Sequence, residues 1–379
     1  MQIIKKRDNI GINIFCIGVI LELIVLVFSI SPIVLPYASR ITHIAFGLFA
    51  IKILFTYYDK KEWIAILLLG AVAAVSYLAI GEEKALRVIV MIIASKGIEL
   101  KKIAEITFWT MLIAIIVVVS LALFGIGDPL LGTGIYRGDE IETRWGFGLG
   151  HANNAHGMMW YMVSLFIIAY DEKLNWKHYM GITLFNALLY CVTASRTGVI
   201  VVQLVILAAW ILKYNSNIIK WKFIYCLEMI FTVLIVIGTV YAGIVTNMEK
   251  WPEFFVKINS MLTDRFTYVT YWADSNSWHI IKPTGIEKLV DNGFAVLLAK
   301  YGYLLTGIFV IANILLIFYY KKQSTGQAML YSVIAMSCIF YTFMESTFVL
   351  NTPLLINVFY ILLIATGHKL ITFKESSNE

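Results

Sequence analysis

Charge is scarce in this sequence. Only 14% of its residues are charged and 60% are hydrophobic, where a soluble globular chain has about 25% and 45–50%. That shortage excludes a soluble multidomain protein of this length. Repeated apolar runs of about 17–25 residues indicate instead a single integral membrane domain over 1–379. Cysteine is also sparse. Cys16, Cys191, Cys226 and Cys338 lie far apart within apolar runs and have no metal-ligand spacing, so they read as small core residues. Lys5, Lys6 and Arg7 precede an apolar run that lacks a small-residue cleavage site, which predicts a retained first span. The sequence contains no internal repeat, low-complexity tract or Gly-Lys-Ser/Thr phosphate loop.

What is present is a series of apolar segments joined mostly by short loops. The pattern predicts an all-α, polytopic fold of about 12 transmembrane helices near 10–30, 41–57, 63–80, 85–98, 104–126, 152–170, 178–194, 197–214, 220–246, 293–319, 327–345 and 353–370. The fourth is short and interrupted by Ser95 and Lys96, as a re-entrant segment would be. Residues 178–212 are almost continuously apolar and as one helix would reach roughly 50 Å. A bilayer core is about 30 Å thick, so the run must turn, and its only polar break is Ser195-Arg196-Thr197-Gly198. Ser or Thr is expected to cap the new helix and Gly to permit the tight turn.

Lysine pairs at Lys60/Lys61, Lys101/Lys102, Lys173/Lys177 and Lys321/Lys322 all fall on one side, which predicts both termini in the cytoplasm. The net charge of +6 belongs to those inner segments and is not a nucleic-acid footprint. Six of the seven arginines fall on the other side: Arg40, Arg87, Arg137, Arg144, Arg196 and Arg265. Lysine alone satisfies the orientation bias, whereas a planar fork of donors suits phosphate. The outer face is therefore expected to handle a phosphorylated substrate.

Two outer loops are long, 127–151 and 247–292. In the second, Phe255, Ile258, Leu262, Phe266, Val269 and Trp272 recur at helical spacing, which predicts an amphipathic interfacial helix. The first ends in Gly146-Phe147-Gly148-Leu149-Gly150-His151-Ala152-Asn153-Asn154 at the start of the sixth span. Alternating glycines let backbone approach a ligand. The helix start suits an anion, and His151, Asn153 and Asn154 supply polar groups; a flexible loop with an ordinary cap is the alternative. Arg196 reads as a pyrophosphate ligand, or else as a snorkelling anchor or a partner of Glu345. Arg265, beside Asp264, reads as a second such ligand or a surface ion pair. Asp291-Asn292-Gly293 presents either a base or only a turn. Glu345 and Asn351 bracket the last outer loop. Glu22 and Glu228, both within spans, are expected to pair inside the bundle. Asp139, Glu140 and Glu142 read as a solvated loop face rather than a cation site. No metal or cofactor is indicated.

Gly-x-Gly-His-x-Asn-Asn at an outer helix start, Ser-Arg-Thr-Gly about 45 residues later, Asp-Asn-Gly before a late span and a final Glu…Asn pair together resemble the Wzy-type polysaccharide polymerases. These belong to the O-antigen polymerase/ligase group, whose helical fold is GT-C-like. The resemblance covers about 145–357, and Ala152 stands where family members often have Pro. It implies a bacterial cytoplasmic-membrane enzyme acting at the outer face on oligosaccharide repeats carried by undecaprenyl pyrophosphate. A flippase would supply the repeats, and a chain-length regulator is a further expected partner. The growing glycan would leave its lipid pyrophosphate for a hydroxyl of the incoming repeat. Arg196 and Arg265, and after them Arg137 and Arg144, would stabilise the leaving group. The base would be His151, then Asp291, then Glu345, with Gly150, Asn153, Asn154, Ser195, Asn292 and Asn351 lining the site. A glycan ligase, a transporter or flippase, and a structural subunit are the competing classes.

Overall fold

The computed structural model describes residues 2–81, 83–127, 130, 135–137, 140–215, 221–273, 291–323 and 325–346. The twelfth expected span, Asn351 and residues 274–290 of the second long loop lie outside them. The described residues are helical, apart from one two-stranded hairpin among them, β1 (Ile135–Arg137) with β2 (Glu140–Glu142), in which Arg137 pairs with Glu140. The side chain of Arg137 lies outside the described set. The helices are α1 (Gln2–Ile30), α2 (Ala38–Leu54), α3 (Lys60–Ile80), α4 (Lys84–Ala94), α5 (Leu100–Leu123), α6 (Ala152–Tyr170), α7 (Trp176–Thr193), α8 (Arg196–Tyr214), α9 (Phe223–Ile244), α10 (Glu253–Met261), α11 (Thr267–Ala273), α12 (Gly293–Gln323) and α13 (Gly326–Met344).

Each of the first eleven expected spans overlaps one of these helices. Among the described residues seven helices are long and apolar enough to cross a bilayer: α1, α3, α5, α8, α9, α12 and α13. The protein is a multi-pass, helical membrane protein. With 11 residues, α4 reaches only about 16 Å, half of a bilayer core. In α6 and α7, polar groups dilute the apolar run: Asn153, Asn154, His156 and Ser164 in one, Thr183, Asn186 and Thr193 in the other.

Two compact units divide the chain, the first from residues up to 68 and 87–215, the second from 69–86 and 216–354. In the first, α1 packs on α2 and α5, α5 on α6, and α6 on α7 and α8. Arg87 of α4 donates through Nε to Glu22 Oε1 at 3.0 Å, and its Nη2 reaches the other carboxylate oxygen. Glu22 is 3% exposed, so each charge offsets the other's desolvation. Arg87 therefore serves the bundle.

In the second unit α9, α12 and α13 pack together, and α11 lies on α9. Gly302 interrupts α12 with φ 73°, leaving a wholly buried first segment and a long second one. The expected interfacial helix is broken. α10 and α11 are separated at residues 262–266, where Thr263 and Asp264 take positive φ. Asn259 holds the corner: its amide donates to Asp264 Oδ1 and Thr267 Oγ1, both at 2.9 Å, and its oxygen accepts from the Phe266 N–H at 2.9 Å. The expected apolar stripe also splits. Phe255, Phe266 and Val269 are buried, while Ile258 joins Phe254 and Met261 on an exposed face.

Candidate functional site

In the first unit the glycine-rich loop folds onto the helix ends. The Trp145 N–H donates to Val192 O at 2.9 Å, tying the loop to the end of α7. Phe147, Gly148 and Gly150 take φ of 53°, 75° and 76°. A Cβ on Gly148 would stand 2.6 Å from the Ala122 Cβ. That glycine serves packing onto α5, where sequence reasoning expected ligand approach. Arg144 is buried at 5% exposure.

His151 is the N-cap of α6. Its Nδ1 accepts from the Asn153 N–H at 3.1 Å, which in a neutral ring puts the proton on Nε2. The geometry thus gives His151 a donor's face. The Asn154 amide donates to Leu149 O at 2.8 Å, and its Oδ1 is buried without a hydrogen-bond partner among the described residues.

The break between α7 and α8 falls where the length of the run required it, but by other means than expected. Ala194 supplies the left-handed residue, at φ 47°. Ser195 is the N-cap of α8, yet its side chain makes no capping bond. Gly198 lies within the helix, where its missing side chain admits the ring of His156: a Cβ there would stand 2.6 Å from the ring Cδ2. His156 escaped the sequence reading. It is fully buried, with Nδ1 3.0 Å from Thr193 Oγ1 and Nε2 2.9 Å from Asn186 Oδ1. The Asn186 amide continues to Val199 O and Gln203 Oε1, and the Gln203 amide to Thr183. This chain of side chains joins α6, α7 and α8 and locks the turn that carries Arg196. The signal was there in Asn186 and Gln203, polar residues inside apolar runs.

Arg196 is the first residue of α8 and is exposed. Among the described residues it has no hydrogen bond or ion pair. The turn therefore combines a free guanidinium with a helix N-terminus that no side chain caps, a combination suited to an anion.

A cleft of about 670 Å³ lies between α5, α6 and α7, its α7 wall reaching as far as Val192. Phe108, Leu112, Ile115 and Val119 line it from α5, Met158, Met159, Met162 and Phe166 from α6, and Ile182, Phe185, Leu188 and Val192 from α7. No lining side chain is polar. Phe147 and Leu149 of the loop close the end nearest His151. From Phe108 to Val119 the wall rises roughly 16 Å. Phe185 and Leu188 are more than half exposed, so the α7 wall reaches the protein surface.

The second unit gathers the other candidates. Arg265 lies between two carboxylates, with Nη1 3.1 Å from Asp291 Oδ2 and Nη2 3.6 Å from Glu345 Oε1. Glu345 is 3% exposed, whereas the Asp291 side chain is 50% exposed. The buried Arg265 Nε has no partner among the described residues. Two acids about one guanidinium leave the group net negative, a poor phosphate receptor as it stands. Asn292 caps α12 through its Oδ1, 3.0 Å from the Ala295 N–H, and its amide donates to Arg265 O at 3.2 Å. Gly293 lies against α13, where a Cβ would stand 2.3 Å from Thr342 O. The Asp-Asn-Gly segment is thus a cap and a close helix contact that hold Asp291 beside Arg265. Comparison with known proteins finds no matching family model, no matching curated protein and no matching solved structure.

Proposed function

We propose that the protein polymerises oligosaccharide repeats carried on undecaprenyl pyrophosphate, at the outer face of a bacterial cytoplasmic membrane. The observation that carries this reading is an amphiphile-shaped site in the first unit. The α7 helix that walls an all-apolar cleft as far as Val192 leads directly into the turn that carries the unpaired Arg196 and the bare N-terminus of α8. A pyrophosphate on a long hydrocarbon tail has the matching polarity: the head needs fixed donors and the tail needs an apolar wall. Three methionines on α6 suit an irregular branched chain, because their side chains adapt to shape. The twelve-span count, the GT-C-like architecture and cytoplasmic termini belong to the same reading.

In this reading pyrophosphate departs from the anomeric carbon of the donor glycan. Arg196 stabilises its developing charge as a preorganised electrostatic group. His151 donates from Nε2 to a substrate oxygen, and the buried Asn154 Oδ1 accepts from a sugar hydroxyl. The second unit's candidate base for an attacking hydroxyl is Asp291, a half-exposed carboxylate beside Arg265. Arg265 orients that carboxylate.

The test is a gene deletion followed by sizing of the host's surface and lipid-linked glycans. Loss of long chains with single lipid-linked repeats accumulating is the expected result. Wild type restores the ladder and Arg196→Ala does not, although the variant accumulates normally in the membrane. Intact long chains left on the carrier lipid would make the protein a ligase. An unchanged glycan profile, in a host without a second such enzyme, would overturn the glycan reading.

A further inference from the structure

The second unit holds a polar cluster that this proposed chemistry does not use. Glu228 lies on α9, about 8 Å from the start of that helix, and is 7% exposed. Ser332 of α13 donates to its Oε2. Thr232, one turn further along α9, lies 3.4 Å from Asn313 Oδ1 on α12. Ser332, Thr232 and Asn313 are all fully buried. Among the described residues Glu228 pairs with no basic side chain, and a lone carboxylate in such surroundings costs several kcal/mol unless neutralised.

Counting hydrogens decides what the cluster lacks. Thr232 has one hydroxyl hydrogen, and its shorter bond runs to Glu228 O at 2.9 Å. Towards Asn313 the Thr232 oxygen must then accept. That turns the amide nitrogen to Thr232, since the two ends of an amide are interchangeable in shape. Asn313 Nδ2, otherwise buried without a partner, gains one, and the amide oxygen becomes the orphan. The groups left over are the second Glu228 oxygen, the lone pairs of Ser332 and the Asn313 carbonyl. All are acceptors, and together they carry one negative charge.

We propose that Glu228, Ser332 and Asn313 form a buried site for one exchangeable monovalent cation, Na+ or the proton. A divalent ion demands more oxygens and usually more than one carboxylate. Charged and titratable groups at this end of the bundle are Lys222 at the start of α9, Tyr225 and Cys226 on α9, Tyr319, Tyr320, Lys321 and Lys322 on α12, and Tyr331 on α13. The Lys321 ammonium lies 3.3 Å from the Cys226 Sγ, and Tyr320 stacks edge-on to Tyr331. None of them neutralises Glu228. The site is independent of glycan chemistry and stands whether or not the polymerase reading does.

The experiment uses the full-length protein in lipid nanodiscs. It measures 22Na+ binding and the infrared carboxylic-acid band between about pH 5 and pH 9. Glu228→Gln, uncharged and of the same shape, is the control, and a melting curve shows that it folds. Saturable 22Na+ binding that weakens at low pH, disappears in Glu228→Gln and falls at least tenfold in Asn313→Ala is the expected result for Na+. No 22Na+ binding, but an acid band that appears and disappears with pH in wild type and is missing in Glu228→Gln, identifies the proton as the resident ion. No 22Na+ binding together with a pH-independent band, or with no band assignable to Glu228, would overturn the site.

Discussion

Gly198→Ala is the sharpest test of the packing that holds Arg196, because two effects oppose each other and the structure says which wins. Alanine is favoured over glycine within a helix by about 1 kcal/mol, so a helix with room at this position would be stabilised. Here the new Cβ would stand 2.6, 2.7 and 2.8 Å from Cδ2, Cγ and Cβ of His156. Because the His156 Cβ is itself one of those atoms, no rotation of the ring escapes, and α6 and α8 must separate by several tenths of an ångström or more. Overpacking of this kind costs about 1–3 kcal/mol. The ring bonds to Thr193 and Asn186, now 3.0 and 2.9 Å, stretch with it, at about 0.6 kcal/mol each for a bond between membrane helices. After the helix gain is subtracted, the net is a loss of about 1–3 kcal/mol. Denaturation in detergent followed by helical circular dichroism reads it directly. In a His156→Gly background the obstruction is gone, and the same substitution should stabilise by about 1 kcal/mol. Stabilisation by Gly198→Ala in the wild-type background would refute the reasoning.

Three further outcomes follow from named contacts. Glu22→Gln takes a buried carboxylate away from Arg87 and should cost up to about 3–5 kcal/mol in the same denaturation assay, whereas Glu22→Met combined with Arg87→Leu should recover most of it; equal losses in both would remove the pair from the account. Asn259→Ala leaves the buried Phe266 amide without its acceptor, a local penalty of about 1–3 kcal/mol, so hydrogen exchange across 262–267 should accelerate on the order of 100-fold while α12 and α13 are unaffected. His151→Asn keeps a capping oxygen and a donor, where His151→Ala loses about 1 kcal/mol of cap. Polymer should therefore survive within about tenfold in the Asn variant, and its complete loss from folded protein would make His151 the base after all.

Much of the helical framework was legible because a bilayer imposes a length. The apolar run over 178–212 had to turn near its middle, and it does. The residues that make the turn were not legible, since Ser, Thr and Gly read as cap and turn by local propensity while packing decided otherwise. Ala194 turns the chain, and Gly198 makes room for a ring that belongs to another helix. The break between α10 and α11 was hidden for a related reason. Periodicity records which positions face the interior, and Phe255, Phe266 and Val269 keep that phase across a corner. Continuity is set by the amides that Asn259 satisfies. His156 was invisible because one histidine in an apolar run is indistinguishable from core until its partners, Asn186 and Thr193, are known.

The arginines show what a count by side of the membrane can and cannot establish. Taken together, six outer arginines suggested a face built for phosphate. Among the described residues each has its own circumstance. Arg87 is paired with Glu22. Arg265 lies between Asp291 and Glu345. Arg144 is buried, and Arg40 sits over the Tyr37 ring at 5.1 Å. Arg196 is exposed on a turn locked by His156 and has no partner. An arginine already neutralised by an acid must first lose that partner to bind phosphate, a cost comparable to what it would gain. An unpaired one at an uncapped helix start has no such cost. Among the described residues the phosphate argument is therefore strongest at Arg196. The polymerase reading leans most on that residue, and a folded Arg196→Ala variant that still polymerises would remove its main support.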